Sequence, residues 1–226
     1  MSFNGYKKRV SALVFLVNLL SCFTITRAEA ETLNCFNGQA QVSVQSNSME
    51  PLASKGSMLV LACVKILSTE QTPLLAKLSM LTPTVGAGDV VAFESDIFGG
   101  LAFKRIVGVP GDFVQTIKAR LYINGTIVPR EPVGRPKLDS AARPVSKYYA
   151  ETLSNGATYI IAENSWDYAT ADTERTYIPN GYVFVEGDFR NQSIDSRTKY
   201  PKRKSSVSLG LIRIVDLKGK LIDVSY

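Results

Sequence analysis

Histidine is missing from all 226 residues, and that absence excludes more than any other feature. It removes the serine–histidine and cysteine–histidine routes to a nucleophile, together with every histidine-containing zinc site. Three cysteines are too few for a four-cysteine zinc site, so no metal and no other cofactor is expected. Proton transfer near neutral pH then falls to a lysine, carboxylate or thiol with a displaced pKa. Positive charge is also scarcer than the formal net of +6 implies. Lys7, Lys8, Arg9 and Arg27 lie in the leading segment, and the remainder carries only +3, from 22 basic against 19 acidic residues. No nucleic-acid partner is expected at that charge, and the cluster Lys199, Lys202, Arg203 and Lys204 reads as a solvated loop, with a polyanion or lipid-headgroup contact as the alternative. With 45% hydrophobic residues, 16 Gly and 10 Pro, the chain is neither collagen-like nor disordered throughout.

An apolar run occupies residues 10–25, with Lys7-Lys8-Arg9 before it and Ala28-Glu29-Ala30 after it. Basic, apolar and small-x-small stretches in that order mark residues 1–30 as an export segment. The run is close to the ~17-residue minimum for a spanning helix, so cleaved signal peptide and retained anchor both stay open. Either way the body crosses the cytoplasmic membrane and belongs to the inner membrane or periplasm. Cys35 and Cys63 remain beyond the leader, an even pair in an oxidising compartment. They pair as a disulfide or stay as two buried thiols; geometry decides.

The body reads as mainly β. Short alternating, β-branched stretches fall at residues 40–45, 58–66, 89–93, 101–109, 112–117, 158–162, 182–186, 209–215 and 220–224. Asn124-Gly125 between two apolar triplets signals a two-residue hairpin, and Pro110-Gly111 suits a type II turn. Lys218-Gly219 reads as a break between the last two strands. Residues 68–83 carry Leu74, Leu75, Leu78, Met80 and Leu81 at partly helical spacing; these side chains either roof the core or meet a membrane interface. Residues 130–155 are rich in Pro, Ser, Ala and charge, and read as loop with a helical turn near 147–153. The organisation expected is a catalytic core from residues 31–112 and 181–226, with 113–180 as an inserted smaller subdomain.

Chemistry without histidine calls for a nucleophile on a tight turn and a lysine that can be desolvated beside it. Ser46-Asn47-Ser48-Met49-Glu50-Pro51 follows a strand directly and presents Ser48 at its end. Lys104 interrupts the apolar strand Leu101-Ala102-Phe103-Lys104-Arg105-Ile106-Val107. Burial disfavours the ammonium form, so a lysine in such a strand has a lowered pKa and can take a hydroxyl proton. Edge strands also carry lysines for solubility, and that reading stands beside the catalytic one.

The order of the motifs is more specific than either residue. Ser46-x-Ser48-Met49-x-Pro51 is followed by Gly88-Asp89-Val90-Val91 and by Lys104-Arg105-Ile106-Val107-Gly108-Val109-Pro110-Gly111-Asp112. Gly187-Asp188 and Ser193-x-Asp195-Ser196-Arg197 come after them. This series resembles the type I signal peptidase family, including its relatives that mature conjugative pilins. The resemblance implies Ser48 as nucleophile, Lys104 as general base, and the Ser46 hydroxyl with the Ser48 backbone N–H as oxyanion donors. It implies that Ser193 orients the lysine amine, and that Asp195, Arg197, Asp188 and Arg105 form a charged scaffold behind the site. It further implies a β-rich core on the outer face of the cytoplasmic membrane, close to the lipid surface. The substrate would be a preprotein or pilin precursor, with small residues at the first and third positions before the scissile bond. Where the family commonly continues with an aromatic and a glycine after the Asp-Ser-Arg box, this chain has Thr198-Lys199-Tyr200-Pro201. Two other functions stay open: a non-enzymatic exported β-domain of a pilus or secretion assembly, and a pilin cyclase passing the same acyl group to an amine.

Overall fold

The computed structural model describes residues 33–66, 81–136, 146–164, 170–198 and 210–225. The export segment and residues 67–80 lie outside these, and with them Leu74, Leu75, Leu78 and Met80. Strands β1 (Gln39–Ser43), β2 (Met58–Cys63), β3 (Lys65–Ile66), β4 (Leu81–Thr82), β5 (Val90–Ser95) and β6 (Gly100–Gly108) come first. Then follow β7 (Phe113–Ile117), β8 (Arg120–Ile123), β9 (Thr126–Ile127), β10 (Arg130–Val133), β11 (Ser146–Thr152), β12 (Thr158–Asn164) and β13 (Thr176–Tyr177). The chain closes with β14 (Tyr182–Glu186), β15 (Ile212–Arg213) and β16 (Leu217–Ser225).

Seven strands make the main sheet, in the order β1-β2-β16-β5-β6-β14-β15. Alternation along β5 sorts its side chains to two faces. Val91 and Phe93 join one apolar cluster with Ala102, Ile106, Val183 and Val185. Val90 and Ala92 join another, with Val42, Leu59, Leu61 and Phe103. Burial on both faces explains why β5 and β6 read as nearly continuous apolar runs. Leu81 is fully buried in the first cluster, so this member of the leucine-rich stretch roofs the core.

Residues between β6 and β14 build two further sheets, β13-β7-β8-β9 and β10-β11-β12. They do not enclose a separate core. Val107 and Phe184 of the main sheet share one buried cluster with Val114, Leu121, Tyr159, Ile161 and Ile178. Gly108 permits this approach: a Cβ there would stand 2.5 Å from both Ile178 and Val114 side-chain atoms.

Three local expectations are corrected. Residues 147–153 are not a helical turn but most of strand β11, paired with β10 on one side and β12 on the other. Seven residues cannot sustain an isolated helix, whereas β12 pairs along the whole of β11 and β10 along Tyr148–Glu151. Lys218-Gly219 does not end a strand. It lies inside β16, where the register against β5 shifts and Gly219 lets Leu61 approach. The stretch 209–215, expected as one strand, is described from residue 210 and contains only β15 before a 3-10 turn at Ile214–Asp216. The Asn124-Gly125 hairpin has both residues at positive φ, as a primed turn requires.

Candidate active site

The β1–β2 connection carries the nucleophile candidate, and the interior strand β6 carries the lysine. Lys104 shares its face of the sheet with Ala102 and Ile106, and only 3% of its surface is exposed. Ser48 is 8% exposed. Lys104 Nζ lies 2.7 Å from Ser48 Oγ, and it donates a second hydrogen bond to the Phe103 carbonyl at 3.0 Å. Burial brings the amine down to about 8, against a pull upward from the Asp195 and Asp188 carboxylates, while Arg197 pushes it lower. An amine at about 8 is partly neutral near physiological pH and has a lone pair for a proton. The edge-strand reading of Lys104 is therefore replaced by an interior one, because β5 and β14 flank β6.

Ser46 is exposed, and its Oγ lies 3.2 Å from Ser48 Oγ. Ser48 is also held from behind. Its carbonyl accepts a hydrogen bond from Phe189 N–H at 3.1 Å. Gly187 packs on the same carbonyl and on Ser193, so tightly that a Cβ at 187 would stand 2.5 Å from each. The buried Ser193 hydroxyl faces Asp195 without forming a well-aligned hydrogen bond, and Lys104 donates its second bond to the Phe103 carbonyl rather than bonding Ser193.

The charged residues form a buried frame. Arg105 grips Asp188 through two hydrogen bonds of 2.8 and 2.6 Å and stacks over Tyr159 at 4.3 Å. Arg197 pairs in the same two-pronged way with Asp195, at 2.9 and 2.6 Å. Desolvation works against the Asp195 charge, but Arg197 and the Gly187 N–H outweigh it and hold the carboxyl below the usual range.

Residues not singled out from the sequence extend this frame. Arg190, in a 3-10 turn at Arg190–Gln192, binds both oxygens of Glu151 on β11 and pairs with Glu186 on β14 at 3.1 Å. Burial drives the Glu186 pKa upward, against Arg190 and Arg197. Glu151 lies in a stretch that reads as loop, and no period-2 pattern marks it: buried Tyr148 and Glu151 are three residues apart and fall on opposite faces of β11. Phe98, on the loop between β5 and β6, places its ring 5.6 Å from Lys104 Nζ. Cys35 and Cys63 are joined by a disulfide across 28 positions, tying the chain before β1 to the end of β2. Among the described residues no three potential metal ligands converge.

A hydroxyl held against a desolvated amine, with a second hydroxyl beside it, is equipped for acyl transfer through a serine and a lysine. The model of the family described as signal peptidase, peptidase S26, matches residues 16–223, and the chain belongs to that family. Signal peptidase I of Rickettsia conorii (strain ATCC VR-613 / Malish 7) is 33% identical over 117 residues, covering 49% of this chain and 43% of its own. Signal peptidase I of Rickettsia typhi (strain ATCC VR-144 / Wilmington) is 30% identical over 140 residues, covering 59% and 49%. The chain thus spans under half the length of these relatives. A crystal structure of a signal peptidase I from Enterococcus faecalis V583 aligns with a TM-score of 0.35 and 27% identity, covering 61% of this chain and 97% of that one.

Proposed function

We propose that this protein is a serine endopeptidase that removes leader peptides from exported precursors, with Ser48 as nucleophile and Lys104 as general base. The observation carrying this reading is the 2.7 Å approach of Lys104 Nζ to Ser48 Oγ, with both side chains buried. Ser48 Oγ attacks the scissile carbonyl while its proton passes to Lys104 Nζ. The oxyanion collects hydrogen bonds from the Ser46 hydroxyl and the Ser48 backbone N–H, an arrangement worth roughly 3 kcal/mol per donor in comparable hydrolases. Collapse breaks the C–N bond; Lys104 returns the proton to the departing amine and leaves an ester on Ser48. Water, giving one proton to the same amine, then attacks the ester; the acyl C–O bond breaks, Lys104 passes that proton to Ser48 Oγ, and the new acid leaves and ionises to its carboxylate.

The substrates are preproteins, including pilin precursors, with small residues at the first and third positions before the cleaved bond. Work at the outer face of the cytoplasmic membrane follows from the export segment, and the Cys35–Cys63 bond suits an oxidising compartment. The segment itself lies outside the described residues, and among those no helix is long and apolar enough to cross a membrane.

The test is cleavage of a precursor peptide carrying Ala at both specificity positions, followed by mass spectrometry. Ser48→Ala and Lys104→Ala should each abolish turnover, with the double variant no worse than either, since the two act as one unit. Lys104→Arg should fail as well, because guanidinium keeps its proton at any working pH. Wild-type activity should rise through an acid limb near 8, as the buried amine loses its proton. Turnover surviving in Ser48→Ala would defeat the assignment. A product whose new carboxyl is joined to an amine would convert hydrolysis into transfer by the same pair.

A further inference from the structure

The loop joining β5 to β6 is short, and a hydrogen bond from Phe98 N–H to the Ser95 carbonyl folds it back over the sheet. Gly99 follows at φ 66°, a left-handed conformation that turns the chain into β6 immediately after Phe98. The Phe98 side chain is consequently not in the core. It is 40% exposed, yet its ring lies 5.6 Å from an ammonium-bearing atom on a side chain that is itself almost wholly buried. Among the described residues, Lys104 Nζ bonds Ser48 Oγ and the Phe103 carbonyl and no other polar group.

We propose that Phe98 is a positioning residue acting through Lys104: its ring lids the amine and keeps water from it, so that the base stays dry between turnovers. The inference rests on the peptidase reading for its consequence, but not for its physics. Lys104 has an ammonium disfavoured mainly by desolvation. Admitting water to Nζ restores the hydration of the charged form and moves the pKa upward, toward the ~10.4 of free lysine. The charged groups facing the amine are Asp195 and Asp188, which favour its charge, and Arg197, which opposes it; Arg105, next along β6, points to the opposite face and is held by Asp188. None of these is touched by a change at Phe98. A rise in the pKa of a Phe98 variant therefore reports solvent, since loss of the ring's attraction for the ammonium would lower it.

Three full-length proteins test this: Phe98→Ala, which removes the lid, Phe98→Leu, which keeps an apolar cover without the ring's π-face, and wild type. Two readouts are taken across pH 6 to 11. One is cleavage of the Ala-x-Ala precursor peptide; the other is trace labelling of Lys104 by acetic anhydride, read by peptide mass mapping, which needs no activity. In Phe98→Ala both the acid limb of kcat and the Lys104 labelling midpoint should rise by about one unit, lowering kcat at pH 7.5 roughly tenfold. At pH 10 the rate should recover, with KM within twofold of wild type throughout. Phe98→Leu should hold the midpoint within ~0.3 unit, since the lid acts by bulk rather than by its π-electrons. The inference is overturned by an unmoved labelling midpoint in Phe98→Ala, by an equal shift in Phe98→Leu, or by a change in KM alone, which would make Phe98 a substrate contact. Activity surviving in Ser48→Ala would instead sink the peptidase reading, and the labelling arm would still judge the lid.

Discussion

Replacing Gly187 with alanine puts a methyl group where the structure has no room for one, directly behind the nucleophile. The new Cβ would stand 2.5 Å from the Ser48 carbonyl oxygen and 2.5 Å from Ser193 Cβ, with the Ser193 hydroxyl closer still. Ordinary contact begins at 3.4 Å, so about 0.9 Å must be found by moving backbone. Gly187 does not sit at positive φ, so the penalty is steric rather than conformational. The backbone carbonyl and the glycine itself do not move freely. The Ser48 carbonyl is bonded to Phe189 N–H, and the Gly187 N–H is bonded to Asp195. Overpacking of this size costs ~1–3 kcal/mol of stability, which a folded domain survives. Catalysis is less tolerant: a displacement near 1 Å at the reacting atom costs roughly 100-fold, or about 2.7 kcal/mol of barrier. Gly187→Ala should therefore remain folded by urea titration while kcat on the precursor peptide falls ~100-fold and KM barely moves. Gly134→Ala is the control, since a Cβ there meets nothing within 4 Å. Activity of Gly187→Ala within threefold of wild type would refute the claim that Ser48 is fixed from behind by this contact.

Two further perturbations address stability. Glu151→Leu strips Arg190 of its two-pronged partner inside the protein and should cost ~3–5 kcal/mol, seen as a lower urea midpoint; a loss under ~1 kcal/mol would show the pair to be dispensable. Reducing the Cys35–Cys63 bond reopens a loop of 28 positions and should remove ~3.5 kcal/mol of unfolding free energy, so an unchanged midpoint in reductant would contradict the chain-entropy account.

The strands legible in the sequence were those whose apolar residues alternate or run continuously, such as β5, β6 and β14. β11 was not, because its sequence Ser-Lys-Tyr-Tyr-Ala-Glu-Thr places a buried carboxylate on the inner face, where pattern reading expects an apolar residue. That carboxylate is stable only because Arg190, 39 positions away, arrives to meet it. β16 reads from the sequence as starting only at Lys220, because Lys218-Gly219 looks like a break, whereas the glycine serves a register shift and close packing on Leu61. The same limit applies at the candidate site. Ser48 and Lys104 are 56 positions apart, and their types and motif order single them out. Phe98 cannot be found that way: it has no motif, and its interest lies wholly in a distance to Lys104 that the β5–β6 turn creates.

The buried ion pairs have a chemical consequence beyond holding loops in place. Lys104 is subject to two opposed influences: burial, which drives its proton off, and the Asp195 and Asp188 carboxylates, which call it back. Unpartnered, two carboxylates in a poorly screened interior would stabilise the ammonium strongly and leave no base near neutral pH. Each is instead gripped in two-pronged fashion by an arginine, Asp195 by Arg197 and Asp188 by Arg105. Arg197 reaches far enough to push directly against a charge on Lys104. Arg197 therefore offsets part of the negative field that the two acids impose, and desolvation prevails. In the cycle we propose, a residual pull from the acids serves the other half, in which the amine, having taken the Ser48 proton, would hold a charge until the leaving group collects it. An amine at about 8 meets both demands: neutral often enough to accept a proton, basic enough to keep it briefly. Arg190 carries the same frame into β11 through Glu151, so the inserted strands share the charge balance on which the base depends.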